Sequence, residues 1–157
     1  MKKIENWIKK KFVPSYYVAR KVYKISKYDN TNLVSKGLRI IRSIYLEKKN
    51  GICLGRYCSI GEDFRMPHPY NIVIGDNVKI GNKCCIYQGV TIGTSKQYEN
   101  KYPIIGNNVT IYTGAVVVGN IRIGDNVIIG ANAVVLTDIP SDCVVVGIPA
   151  KVVETKN

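Results

Sequence analysis

The stretch Ile72-Val-Ile-Gly-Asp-Asn-Val-Lys-Ile-Gly81 repeats a six-residue pattern that resumes at Ile105-Gly-Asn-Asn-Val-Thr-Ile-Tyr112 and again at Ile121-Arg-Ile-Gly-Asp-Asn-Val-Ile-Ile-Gly130. Ile74, Ile80, Ile86 and Ile92 stand six apart, and after a break so do Ile105, Ile111, Val117, Ile123, Ile129 and Val135. Two residues before most of them is a second small or aliphatic side chain: Ile72, Val78, Cys84, Val90, Val109, Ala115, Ile121, Val127 and Ala133. Two inward positions flanking one outward residue describe a short strand, and glycine follows six of the ten, where the chain must turn a corner. Three such strands per coil make a triangular prism, in which each rung buries its aliphatic side chains only by stacking on its neighbours. The Gly119-Asn120, Gly124-Asp125-Asn126 and Gly130-Ala131-Asn132 segments are read as corners, and the region of Pro140 and Pro149 as the end of the stack.

Two interruptions break the period. Ile60 to Ile74 is 14 residues, two more than two repeats, with the excess placed around Met66-Pro-His-Pro-Tyr-Asn71. Ile92 to Ile105 is 13 residues, one more than two repeats, and Thr94 to Tyr102 is wholly polar or aromatic. Insertions in a solenoid leave its surface as loops, often on the binding face.

Ahead of the repeats, residues 1–50 show helical spacing: Ile4, Trp7 and Ile8; Val18, Val22 and Ile25; Val34, Leu38, Ile41 and Tyr45. Pro14 and Asp29-Asn-Thr-Asn32 separate three short helices, each with an apolar stripe that needs a partner surface. The organisation read from this is a basic helical arm over 1–50, a β-helix over 51–153 and a tail over 154–157. The net charge of +12 divides unevenly: residues 1–50 carry 14 Lys and Arg against 3 Asp and Glu, while the remaining 107 residues carry 9 against 8. Any attraction to polyanions therefore belongs to the arm, which is expected to give weak association with an anionic membrane surface and, lacking a recognition motif, no nucleic-acid role. No stretch reaches the length of a spanning helix, and Lys9 to Lys11 sit where a signal-peptide core would lie, so the expected location is cytoplasmic.

Five cysteines without a C-x-x-C spacing, and a single histidine, suit neither a disulfide framework nor a His-rich zinc site; no metal is expected. The one histidine, His68, lies in the first insertion between Pro67 and Pro69. An imidazole, with an ordinary pKa of about 6.5, is the side chain suited to take a proton from a hydroxyl near neutral pH; the competing reading is a surface imidazole in a stiff turn.

The runs His68-Pro-Tyr-Asn-Ile-Val-Ile-Gly75, Gln88-Gly-Val-Thr-Ile-Gly93, Gly130-Ala-Asn-Ala-Val-Val135 and Gly147-Ile-Pro-Ala-Lys-Val152 resemble the serine acetyltransferase branch of the hexapeptide-repeat acyltransferases. The resemblance covers roughly residues 51–153. It implies a mainly β fold, a left-handed parallel β-helix preceded by the short helical arm, assembled as a homotrimer with active sites between neighbouring prisms and acetyl-CoA as donor. It also implies His68 as catalytic base. Asn71, Gln88 and Tyr102 are the expected acceptor contacts, and Gly93, Thr94, Thr113 and Ala131 the positions along the CoA arm, with Lys151 near its phosphates.

The match is uneven. The carboxylate that orients the base in serine acetyltransferases falls on Cys53, the acidic residue before the base becomes Pro67, and a second family histidine becomes Tyr102. Short relatives of this type are often found acetylating sugars, so the resemblance favours a hydroxyl of a sugar, nucleotide sugar or surface-polysaccharide precursor as acceptor. Serine O-acetylation in cysteine biosynthesis is the alternative, and a non-catalytic β-helix scaffold the second alternative. A covalent acyl-enzyme would require Cys53 to line the cleft as an activated thiolate.

Overall fold

The computed structural model describes residues 14–27, 33–94 and 101–155. The helix read around Ile4, Trp7 and Ile8, the Asp29-Asn-Thr-Asn32 break and the segment from Ser95 to Asn100 lie outside them.

Among the described residues, two helices precede the coils: α1 (Pro14–Ser26) and α2 (Leu33–Asn50). Proline serves at the first helical position, where its missing N–H would have no intrahelical partner. Val18, Val22 and Ile25 of α1 are buried, as their spacing predicts, and Ala19 is buried beside them. In α2 the buried face is a different one from the predicted stripe. Arg39, Leu46 and Asn50 turn inward, seven and four residues apart, while Val34, Leu38, Ile41 and Tyr45 are exposed. The Arg39 guanidinium donates to the Gly55 carbonyl at 2.8 Å and lies 3.8 Å from the Cys58 sulfur, fastening α2 to the first coil. Lys21 of α1 sits over the Tyr45 ring, 4.6 Å from its centroid, which ties the helices to each other.

The coils are a left-handed parallel β-helix. Face 1 stacks β1 (Cys53–Leu54), β3 (Val73–Ile74), β6 (Thr91–Gly93), β9 (Val116–Val118) and β12 (Val134–Val135). Face 2 stacks β2 (Ser59–Ile60), β4 (Lys79–Ile80), β7 (Ile104–Ile105) and β10 (Arg122–Ile123). Face 3 stacks β5 (Cys85–Ile86), β8 (Thr110–Ile111), β11 (Ile128–Ile129) and β13 (Cys143–Val146), with β14 (Lys151–Thr155) added antiparallel to β13. Each rung donates its N–H groups to the next coil, as in Val73 N to Val90 O at 2.9 Å and Thr91 N to Ala115 O at 3.0 Å. All ten residues of the six-residue ladder are buried, and so are the nine partners two places before them.

Left-handed backbone at the corners is supplied mostly by Asn and Asp rather than glycine. Asn77, Asn108, Asn126, Asn132 and Asp142 have φ between 53° and 60°. Their side chains also ladder between coils: the Asn108 amide donates to Asn126 Oδ1 at 2.9 Å, and the Asn126 amide to Asp142 Oδ1 at 2.7 Å. The glycines after the ladder residues answer a different need. A Cβ at Gly81 would lie 2.5 Å from the Gly106 carbonyl oxygen on the coil above, so the rungs approach too closely for a side chain.

The two interruptions are placed differently from their sequence reading. Phe64 and Met66 are buried, and Arg65 bridges to Cys85, so this segment is a rung of face 3 and the excess is confined to Pro67–Asn71. Ile92 is on face 1 and Ile105 on the adjacent face 2, normally six residues apart; the second insertion is therefore seven residues long, not one. The stack also continues past Pro140, because Ile139 is buried and bridges to Ile123 before β13 adds another rung.

Candidate active site

His68 emerges where the chain passes from face 3 to face 1, and this edge of the prism organises most of the residues singled out from sequence. Met66 and Ile72, both fully buried, anchor the two ends of the loop, and buried Pro69 presses its middle against the body. The turn closes with Tyr70 N donating to His68 O at 2.9 Å, and Asn71, at φ 53°, hands the chain to face 1 by donating its N–H to Asn50 O at 2.9 Å. With its backbone held at both ends, the imidazole projects outward and is exposed.

The same edge recurs on every coil above. Tyr87 and Gln88 follow Ile86, Tyr112 and Thr113 follow Ile111, and Gly130 and Ala131 follow Ile129. Gly114 N and the Thr113 hydroxyl both donate to Gln88 O, at 3.0 and 3.1 Å, and Asn132 N donates to Thr113 O at 2.9 Å. At the top of the column Lys151 of β14 pairs in register with Val146, which follows Val145 on the same edge. One line along the prism thus carries His68, Asn71, Gln88, Thr113, Ala131 and Lys151. With strands about 4.8 Å apart, the five strand steps from the rung before His68 to β14 span roughly 24 Å. The side-chain oxygen Oε1 of Gln88 is buried on this edge with no hydrogen-bond partner within the chain.

Gly93, Thr94 and Tyr102 do not join this line. They lie where face 1 passes to face 2, across the width of a face from His68. A Cβ at Gly93 would have no atom within 4 Å, which leaves that edge open beside Thr94. A groove of about 590 Å³ between Ala19 of α1 and the Phe64, Arg65 and Lys83 surface is lined by none of the predicted site residues.

The carboxylates nearest His68 in sequence sit on other edges. Glu62 and Asp63 turn from face 2 to face 3. Asp76 lies between faces 1 and 2, accepting from Arg56 N at 2.6 Å and pairing with the Arg56 guanidinium at 3.5 Å. Cys53 is an exposed residue of β1, yet partial burial of its thiol, reinforced by the charges of Glu47 and Asp76, pushes its pKa above the ordinary thiol value. An activated Cys53 thiolate is therefore not what this environment makes. Among the described residues no group of three or more His, Cys, Asp or Glu side chains comes together.

Sequence reasoning passed over Tyr87 and Tyr112. Their rings stack at 5.0 Å between centroids with 24° between planes, and the His68 ring lies 6.2 Å from Tyr87, tilted by 50°. A signal was available: both occupy the place after a ladder isoleucine that glycine takes at six of the ten repeats, and both do so on successive coils of one edge.

Residues 102–137 match the bacterial transferase hexapeptide family of six repeats. The chain is 41% identical over 141 residues to a serine acetyltransferase of Staphylococcus xylosus, covering 89% of this chain and 62% of that protein. The chain is thus similar to hexapeptide-repeat acyltransferases over most of its length. Its fold superposes on a Neisseria gonorrhoeae serine acetyltransferase in complex with serine, with TM-score 0.83 and 28% identity, covering 94% of this chain and 60% of that one. A serine acetyltransferase in complex with CoA gives TM-score 0.81 and 29% identity, covering 94% and 60%. The chain spans less than two thirds of the length of these relatives. No helix among the described residues is long and apolar enough to cross a membrane.

Proposed function

We propose that this chain is an acetyl-CoA-dependent O-acetyltransferase working along the edge between faces 3 and 1, with His68 as the base. The observation that carries the reading is the single line from His68 through Thr113 and Ala131 to Lys151, long enough for an extended pantetheine arm with its phosphates at the lysine end. His68 takes the proton of the acceptor hydroxyl as its oxygen attacks the thioester carbonyl. A backbone N–H at a coil corner steadies the oxyanion, the carbon–sulfur bond breaks, and the protonated imidazole returns the proton to the departing thiolate.

Gly93, Thr94 and Tyr102, on the opposite edge of face 1, complete the site only if a neighbouring prism brings that edge beside His68. This supports a closed threefold assembly with shared sites. The exposed face of α2 supports it as well, because Leu33, Val34, Ile40 and Ile41 are each more than half exposed in the single chain.

L-Serine is the first acceptor, on the names of the relatives and on the relative solved with serine. A specific observation favours a second reading, a sugar hydroxyl. His68 forms no ion pair among the described residues, and Glu62, Asp63 and Asp76 lie on other edges of the same chain, so within one chain none of these three carboxylates stands beside the base to hold a serine ammonium. An unpartnered ammonium in a partly desolvated cleft costs about 1–3 kcal/mol, roughly ten- to a hundredfold in specificity. Steady-state thiol release from acetyl-CoA across L-serine, hexoses and nucleotide sugars separates the readings by which acceptor has the highest kcat/KM. Thiol release unchanged by every acceptor in the panel would leave the transferase reading without support.

A further inference from the structure

We infer that Tyr87, backed by Tyr112, is the positioning residue that aims the His68 imidazole, in place of a carboxylate; this rests on the reading of His68 as the base. Among the described residues the imidazole makes no hydrogen bond and no ion pair, and its aromatic neighbour is the tilted ring of Tyr87 at 6.2 Å. A general base must hold its ring nitrogen within hydrogen-bond reach of the hydroxyl proton, and a misdirected ring loses rate even when the residue is intact. Pro67 and Pro69 stiffen the backbone on either side but leave the two side-chain torsions of His68 free. The aromatic contact is a restraint on them, with a centroid separation within the 4.5–7 Å of favourable aromatic pairs.

The ladder beneath is built to be rigid. Tyr87 follows fully buried Ile86 of β5 and donates its N–H to Ile111 O at 3.0 Å, while Tyr112 follows fully buried Ile111 of β8 and donates to Ile129 O at 2.9 Å. Tyr112 stacks on the far side of Tyr87 at 5.0 Å, so each ring is rooted in the prism and limits the next. The position that matches the orienting carboxylate of serine acetyltransferases is meanwhile a thiol, Cys53, held neutral by its surroundings.

His68 is the only histidine of the chain, so one pair of imidazole proton resonances reports on it without assignment. In the full chain these resonances should be displaced from those of free histidine through the Tyr87 ring current, remain so in Tyr87→Phe, and move toward the free value in Tyr87→Leu. Turnover should fall by about tenfold or more in Tyr87→Leu, with KM for acetyl-CoA within about twofold, and recover to within about threefold in Tyr87→Phe. If Tyr87→Leu does not fold, Tyr112→Leu, at a ring 39% exposed, should move the resonances the same way by a smaller amount. Resonances unmoved by either leucine variant overturn the inference, and so does a moved resonance with turnover within about twofold of the parent. Full turnover in His68→Ala would instead overturn the base reading, while the resonances still decide whether the ladder holds the ring.

Discussion

At the scale of single residues, the chemistry concentrates on one imidazole and the thiols are set aside. His68 projects from a loop whose anchors, Met66 and Ile72, belong to the core, so its own side chain contributes little to packing. His68→Ala should leave circular dichroism and melting unchanged while turnover falls by on the order of 10²–10⁴; turnover within threefold of the parent would remove it from the mechanism. Cys53→Ala should keep turnover within about threefold, and Cys53 should alkylate more slowly than free cysteine at pH 8, because its thiol is held protonated. Burial likewise raises the pKa of Cys58, Cys84 and Cys85, although the Arg39 cation opposes the effect at Cys58. A thiol with a raised folded pKa stabilises the fold below the unfolded value of about 8.5, and that stability is lost as pH rises through the folded value. The melting temperature should therefore drop from pH 8 to pH 10, and drop less in Cys84→Ala; an equal drop in both proteins would sink the assignment.

At the scale of elements, the prism is sustained by close approach of rungs, while the arm depends on a few anchors. Gly81→Ala sets a Cβ against the Gly106 carbonyl, 2.5 Å away on the coil above, and should destabilise by about 1–3 kcal/mol. Gly37→Ala in α2 meets no atom within 4 Å and should stabilise by about 0.5–1 kcal/mol, since the helix backbone is already compatible with alanine. Opposite signs in denaturant unfolding are the expected result; a neutral Gly81→Ala would mean the coils are more loosely stacked than their hydrogen bonds indicate.

At the scale of the molecule, one chain leaves two things unfinished: the exposed apolar face of α2 and a set of site residues divided between two edges of face 1. Threefold closure would answer both. Light scattering should give about 52 kDa, three times the 17.5 kDa chain. Ile41→Glu, at a side chain 65% exposed, should shift the mass toward the monomer and lower turnover together, because the shared site is lost with the interface. A monodisperse monomer that retains full turnover would show the opposite.

The β-helix could be read from the sequence alone because a period of six ties each inward side chain to a fixed place in a coil; Ile74 and Ile92, and after the break Val117 and Val135, stack on one face because each pair is three repeats apart. His68 was legible for a related reason, as the one imidazole in a chain whose period breaks beside it. Counting along the chain could not assign the faces. The 13 residues from Ile92 to Ile105 are equally compatible with two repeats or one, and only the pairing of β7 with β4 shows that a single corner carries seven extra residues. Met66 looked like part of an insertion until its rung under Ile86 was seen. In α2 helical spacing reveals two faces but not which one meets the coil, and the tertiary structure gave that place to Arg39, because the carbonyl of Gly55 and the sulfur of Cys58 lie there to receive its guanidinium. The Tyr87 ring against His68 belongs to the same class of fact: residues 19 apart in sequence become neighbours only because successive coils turn the same edge at the same place.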